Sequence, residues 1–337
     1  MEDILNASLV LANFVIIPSL AYGAQLALGA LGVTLIYAVL RFANFAHGDL
    51  MAFGTMAVIL VTWFFQAQGI GLGPLPTALL ALPFGIIAAV LLAMGTDRFV
   101  YRFYRKKRAA PVTFVIASVG VMFVYNALTR IFIGTSDIRF EDGERFLIRA
   151  RESREWMGLA EGLALRSSQA LTLVVAIIVV VALFWFLQKT RTGKAMRAYS
   201  DNEDLALLSG INPGRVVLIT WVIAATLATI AGTLYGLDKS FRPFNYFMLL
   251  LPIFAAAVVG GIGQPFGAIA GGFVVAFSEV SITYAYRRVL SHILPEEWMP
   301  DGLAQLLSTD YKFAVSFIIL VLVLLVRPNG IFKGRVI

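Results

Sequence analysis

Leu171–Leu187, LTLVVAIIVVVALFWFL, then Thr192–Arg215, TGKAMRAYSDNEDLALLSGINPGR, then the uncharged run Val216–Leu237 together decide the fold. Each flanking run is close to the roughly 20 apolar residues that a helix needs to cross the hydrocarbon of a bilayer. The stretch between them is polar enough to be wet. The whole chain of 337 residues repeats this alternation, with 59% hydrophobic and 14% charged residues and a mean hydropathy of +0.84. Soluble domains have about 45–50% apolar and about 25% charged residues, so this composition belongs in a membrane. The absence of cysteine excludes disulfides and thiolate metal sites.

Working outward, an apolar lead-in Leu9–Ile17 is expected to break at Pro18. Spans are expected at Leu20–Leu40, Leu50–Phe65, Thr77–Met94, Pro111–Leu128, Leu171–Leu187, Val216–Leu237, Phe247–Val259, Ala268–Tyr286 and Phe313–Val326. The fold class is therefore an all-α polytopic membrane protein with eight or nine transmembrane helices and broken or re-entrant segments. The count turns on whether the short run after Phe247 crosses completely. One domain covers 1–337, with a charged insert at about 134–168 and a polar segment at about 188–215.

Lys and Arg set the orientation. Arg98, Arg102, Arg105, Lys106, Lys107 and Arg108 lie in one loop, Lys189, Arg191, Lys194, Arg197 and Arg215 around the polar segment, and Arg327, Lys333 and Arg335 in the tail. Placing these in the cytoplasm puts the C-terminus inside and the acidic N-terminus, Met1-Glu2-Asp3, outside. That N-terminus lacks the positive region of a cleavable signal peptide. The insert resists the rule with six arginines balanced by seven acids, and Arg287 and Arg288 also fall outside. Its alternating charges, Asp137, Arg139, Glu141, Asp142, Glu144 and Arg145 followed by Arg151–Glu155, suggest a salt-bridged surface, either a solvated cover or a docking platform.

Four local patterns carry chemistry. In Thr192–Arg215, Ser200 or Asp201 can cap a helix with Glu203 and Asp204 in its first turn; Leu205–Leu208 give it an apolar side, Gly210 stops it and Pro213 prevents resumption. Such a helix is a surface made to be gripped, against the alternative of a plain solvated loop. Asn44-Phe45-Ala46-His47-Gly48-Asp49 interrupts two spans with few turn residues. Polar breaks at membrane depth line a cavity or pack against protein, so this one is either a pathway element or a capped junction, with His47 a candidate partner of Asp49. In Val258–Gly272, Gly261, Gly263 and Gly267 lack the strand and the acid of a dinucleotide loop, and close helix packing with a hairpin at Pro265 is the expectation. Glu279, mid-span, must face the interior, a cavity or a partner, lining a route or bracing two helices. No phosphate-binding loop, no catalytic set and no metal-ligand set is legible, and His47 and His292 lie far apart.

The break preceded by Gly32-Val33-Thr34-Leu35-Ile36-Tyr37, the stretch from Thr192 to Arg215, the glycine cluster with Glu279, and the tail Arg327-Pro328-Asn329-Gly330-Ile331-Phe332 together resemble the branched-chain amino acid ABC-transporter permeases, in order and spacing from about Tyr22 onward. The resemblance implies the ABC importer permease fold in the inner membrane. The chain would work by alternating access beside a second homologous permease, two cytoplasmic ATP-binding subunits and a periplasmic substrate-binding protein. It implies no nucleic-acid partner and no catalytic residue or cofactor on this chain, with ATP and Mg bound by the ATPase subunits. It further implies that Gly193, Ala195, Arg197, Asp201, Glu203, Leu205, Leu208 and Gly210 form the coupling segment, and leaves Asn44, His47, Gly48, Asp49, Gly261, Gly263 and Glu279 as pathway or helix-break candidates. Urea or short-chain amide import is the alternative inside the family. An ion-coupled secondary transporter is the alternative outside it, and would call for more paired intramembrane charges.

Overall fold

Pro18 does not break the first span. Helix α1 runs Glu2–Leu40 as a single 39-residue helix because a π-turn over Ala12–Ile16 absorbs the proline. The Ile17 N–H bonds to the Ala12 carbonyl five residues back, and Pro18 falls in the first turn of the α-helical register that follows. A proline is tolerated there because that N–H has no helical acceptor to lose.

The computed structural model describes residues 2–140, 143, 145–300, 302–327 and 329–332. After α1 come α2 (His47–Ala67), α3 (Ala78–Lys106) and α4 (Pro111–Ile133). The insert contributes β1 (Phe146–Ile148), α5 (Ala150–Met157) and β2 (Leu165–Arg166), the two strands forming an antiparallel pair. Then follow α6 (Ser167–Lys189), α7 (Arg191–Asp201), α8 (Glu203–Leu208), α9 (Pro213–Asp238), α10 (Pro243–Gly260), α11 (Pro265–Thr283), α12 (Arg287–Leu290) and α13 (Thr309–Val326). Among the described residues nine helices are long and apolar enough to cross a bilayer. The segment after Phe247 is one of them, since its helix begins earlier, at Pro243.

Helix α9 is the centre, with 72% of its apolar window buried, and α13 is rim, with 11%. Sequence explains the contrast. Ala224, Ala225, Ala228, Ala231 and Gly232 give α9 a face of small residues, which lets neighbouring backbones approach where no hydrophobic force drives helices together. Helices α10 and α11 form the predicted hairpin. Gly261 and Gly263 turn it with φ of 108° and 84°, and a methyl on Gly260 would collide with the Gly267 carbonyl. The tail closes over this turn, with Ile331 N–H donating to the Val259 carbonyl at 2.9 Å and Phe332 N–H to that of Gly260 at 3.2 Å.

At the opposite end, the N-terminus, the insert and the loop after α11 meet. Asn13 donates to the Gly162 carbonyl at 2.7 Å and accepts from Ala164 N–H at 2.9 Å. Arg288 binds both oxygens of Glu161 at 2.9 Å, which gives one of the two awkward arginines its counter-charge. Within the insert, Arg149–Glu152 at 3.7 Å and Arg151–Glu155 at 3.1 Å are exposed pairs along α5. Such pairs contribute little stability. The expected charges at Glu141, Asp142 and Glu144 lie outside the described residues.

Candidate coupling and translocation site

The polar segment folds into two helices. Thr190 makes the elbow from α6 into α7: its hydroxyl donates to the Phe186 carbonyl at 2.7 Å and accepts from Gly193 N–H at 2.9 Å. Gly193, Met196 and Tyr199 form the buried face of α7, Ala195 is half-buried, and Arg197 and Asp201 are exposed. The expected caps Ser200 and Asp201 are therefore corrected. Both belong to α7, and Asn202 caps α8, its Oδ1 accepting from Leu205 N–H at 3.0 Å. Gly210, at φ 79°, ends α8 as expected. Pro213 follows the Asn212 cap and opens α9 at its first position, so α8 does not resume.

Helix α8 hides only Ala206. Glu203 is exposed, as are Leu205 at 61%, Leu207 at 43% and Leu208 at 85%. Side-chain bonds tie this small apolar face to the bundle. The Tyr199 hydroxyl donates to Glu203 Oε1 at 2.6 Å, joining α8 to α7. Burial first, and then the Glu203 carboxylate, push the Tyr199 phenol well above its usual range, so it stays a donor. The Arg41 guanidinium donates to the Ser200 carbonyl at 2.5 Å, joining α7 to the end of α1, where Arg41 itself takes φ 59°.

The broken segment begins immediately after Arg41. Phe42 wedges between Tyr101 and Phe114 with ring centroids 5.2 and 5.3 Å away, and Tyr101 stacks on Trp221 at 5.3 Å. The Tyr101 hydroxyl donates to Asn44 Oδ1 at 3.3 Å, and Asn44 also accepts from Ala46 N–H at 3.2 Å. His47 is fully buried with its ring against Gly32, where any side chain would collide with it. A methyl on Gly48 would meet the Tyr246 carbonyl of α10 at 2.7 Å. Asp49 does not pair with His47. Its Oδ1 accepts from the Asn126 amide of α4 at 2.6 Å, and its Oδ2 has no hydrogen-bond partner among the described residues. That correction has a simple cause: His47 and Asp49 are two apart on one helix and do not share a face.

Two sequence motifs thus meet through Arg41, and a third joins them. Leu35, Val39, Arg197, Asp201 and Gly263 line one cleft of ≈ 260 Å³ between α7, the end of α1 and the α10–α11 turn. Glu279 lies elsewhere, about 24 Å along α11 from Gly263 at 1.5 Å per residue. It is fully buried, accepts from the Ser316 hydroxyl, and has the Lys312 ammonium 3.6 Å from Oε2. Lys312 also lies over the Tyr22 ring at 3.8 Å. The arrangement joins α13 to α11 and α1.

Residues 15–324 match the family model described as branched-chain amino acid transport system / permease component. The chain belongs to this permease family. It is similar to the high-affinity branched-chain amino acid transport system permease protein LivH of Salmonella typhimurium, 30% identical over 92% of this chain and 91% of that one. It is similar also to BraD of Pseudomonas aeruginosa, with 28% identity over 94% of each chain. Among solved structures, PsaBC from Streptococcus pneumoniae in complex with Fab matches at 12% identity and a TM-score of 0.48 over 93% of this chain and 91% of that one, too loose a likeness to carry an argument. As a member of this family, the chain is the multi-pass transport subunit of an ABC system that contains other subunits.

Five residues that sequence reading did not assign to the candidate sites of this branched-chain permease make contacts with them: Arg41, Tyr199, Asn202, Asn126 and Lys312. Asn126 and Lys312 carried a signal, being polar groups within or at the edge of apolar runs, where each needs a partner.

Proposed function

We propose that the permease carries a branched-chain amino acid across the inner membrane by alternating access, with ATP-binding subunits held against α8. The carrying observation is that short, capped helix, which presents Leu205, Leu207 and Leu208 on a polar end of the bundle and is tied through Tyr199 and Arg41 to the broken segment. Exposed aliphatic side chains clustered outside the apolar belt favour a protein partner. A push on α8 is relayed through α7 to the end of α1 and to Asn44–Asp49, where a half-partnered carboxylate begins α2. That break is the natural moving part, and the Gly261–Gly263 turn lines the same cleft as α7. Glu279 acts as a brace, not as a route.

In this reading the N-terminus, the insert and the loop after α11 face outward toward a periplasmic binding protein, and the tail lies in the cytoplasm. A second homologous permease completes the pathway, and ATP and Mg sit on the ATPase chains. The test is leucine uptake into proteoliposomes holding the assembled transporter. Uptake that requires ATP and binding protein is expected. Uptake that follows an ion gradient without ATP would contradict the reading.

A further inference from the structure

A second cleft lies at the α7–α8 end of the bundle, on the flank between α3 and α9, and no residue of α8 is among those that line it. Its volume is ≈ 550 Å³, inside the range of about 300–1,000 Å³ usual for small-ligand sites. Its lining includes Arg98, Arg102 and Arg105 of α3, and Arg215, Leu218 and Trp221 of α9.

The charges in it are unequal. A π-turn over Asp97–Tyr101 turns Asp97 inward, where Arg105 binds both of its oxygens at 2.6 and 2.7 Å and the Trp221 indole donates to Oδ1 at 2.8 Å. Asp97 is thereby committed to Arg105. Among the described residues, no carboxylate lies within ion-pair distance of Arg98, Arg102 or Arg215, and all three are exposed.

The cleft is also graded. Helices α3 and α9 run antiparallel, and on each the cations lie toward the α7–α8 end while apolar residues lie deeper. On α3 the order going outward is Met94, Arg98, Arg102; on α9 it is Trp221, Leu218, Arg215. On both helices, therefore, cations line the outer part of the cleft and apolar residues its inner part. Phe99 and Phe103, 80% and 51% exposed on α3, mark this flank as a membrane surface. A soluble anion needs the cations but not the graded wall below them. A molecule with an anionic head and an acyl body needs both.

We propose that this cleft is a binding site for an anionic phospholipid of the inner leaflet, with the phosphodiester held by Arg98, Arg102 and Arg215 and the first acyl carbons laid along Met94, Leu218 and the edge of Trp221. Arginine suits this task because its planar fork matches phosphate oxygens. The site joins the π-turn of α3 to the first turn of α9, which α8 feeds directly, so occupancy steadies the base on which α8 stands.

The test titrates the detergent-solubilised transporter with dioctanoyl phosphatidylglycerol, dioctanoyl phosphatidylcholine or glycerol 3-phosphate, read by native mass spectrometry. Phosphatidylglycerol is expected to bind and the other two are not. The variant Arg98→Gln/Arg102→Gln/Arg215→Gln is expected to bind it on the order of 100-fold more weakly, at about fivefold per cation, while the control Arg139→Gln/Arg145→Gln at the opposite end binds as wild type. If the triple variant does not fold, Arg102→Gln alone should weaken binding about fivefold. Glycerol 3-phosphate binding as well as the lipid would overturn the lipid assignment. Unchanged phosphatidylglycerol affinity in the triple variant, with or without loss of the ATPase subunits, would overturn the site.

Discussion

Asp49 and Glu279 are both fully buried carboxylates in membrane-spanning helices, yet their surroundings differ. Glu279 meets a cation and a hydroxyl from one neighbouring helix, and the cation is itself covered by the Tyr22 ring. Asp49 accepts from the neutral Asn126 amide of α4, and the charge of Arg130 on the same helix acts on it from beyond ion-pair distance. Each carboxylate keeps one oxygen without a hydrogen bond, but Glu279 has a cation within ion-pair distance of that oxygen, which ties the peripheral helix α13 to α11. Asp49 has no cation that close, so the segment it begins is expected to exchange partners at lower cost. The difference between the two sites is thus whether a cation sits against the buried charge.

Substitutions break or sharpen that contrast. The largest effect belongs to Lys312→Met, which strands Glu279 in the interior. Removing one member of a fully buried pair costs about 3–5 kcal/mol; the Lys312 side chain is 27% exposed, so unfolding in detergent should show a loss toward the low end of that range. Adding Glu279→Gln to it should recover much of the loss, whereas no recovery would mean that the pair is not the brace. Asp49→Asn is next. It preserves shape and keeps an acceptor for Asn126, so unfolding should move by less than about 1 kcal/mol, while leucine uptake by the assembled transporter falls severalfold. If Asp49→Asn and Glu279→Gln have equal effects on uptake, the contrast fails. Tyr199→Phe is the smallest. It removes one hydrogen bond, worth about 1.5–3 kcal/mol at most because the acceptor is charged, and here toward the low end because Glu203 is exposed. ATP hydrolysis should persist while leucine moved per ATP drops, as measured by paired hydrolysis and uptake assays.

Much of this was legible in the chain because the signals were local. The apolar runs, the glycines of the α10–α11 turn and the leucines after Asn202 are contiguous patterns, and the structure places all of them as elements. The misreadings have physical causes. Ser200 and Asp201 passed for caps because α7 is polar overall, its buried face consisting only of Gly193, Met196 and Tyr199. Pro18 passed for a break because a π-turn leaves no mark in composition. The partners of Asp49 and Glu279 were hidden for a different reason. Asn126 and Lys312 lie far along the chain, and only the packing of α2 on α4 and of α11 on α13 brings them into contact. The Arg41–Ser200 bond, which joins α7 to the broken span, is a contact of the same long-range kind.

The central claim is that force enters through α8. Its most direct test is the double variant Leu205→Asp/Leu208→Asp, purified with the ATP-binding subunits and assayed for co-purification and ATP-driven leucine uptake. Both side chains are exposed, so the fold and melting temperature should be unchanged. Loss of about 1.4 kcal/mol of contact is already a tenfold loss of affinity, so the ATPases should dissociate by about that factor or more and uptake should fall with them. Full co-purification and normal uptake in the folded variant would contradict the account.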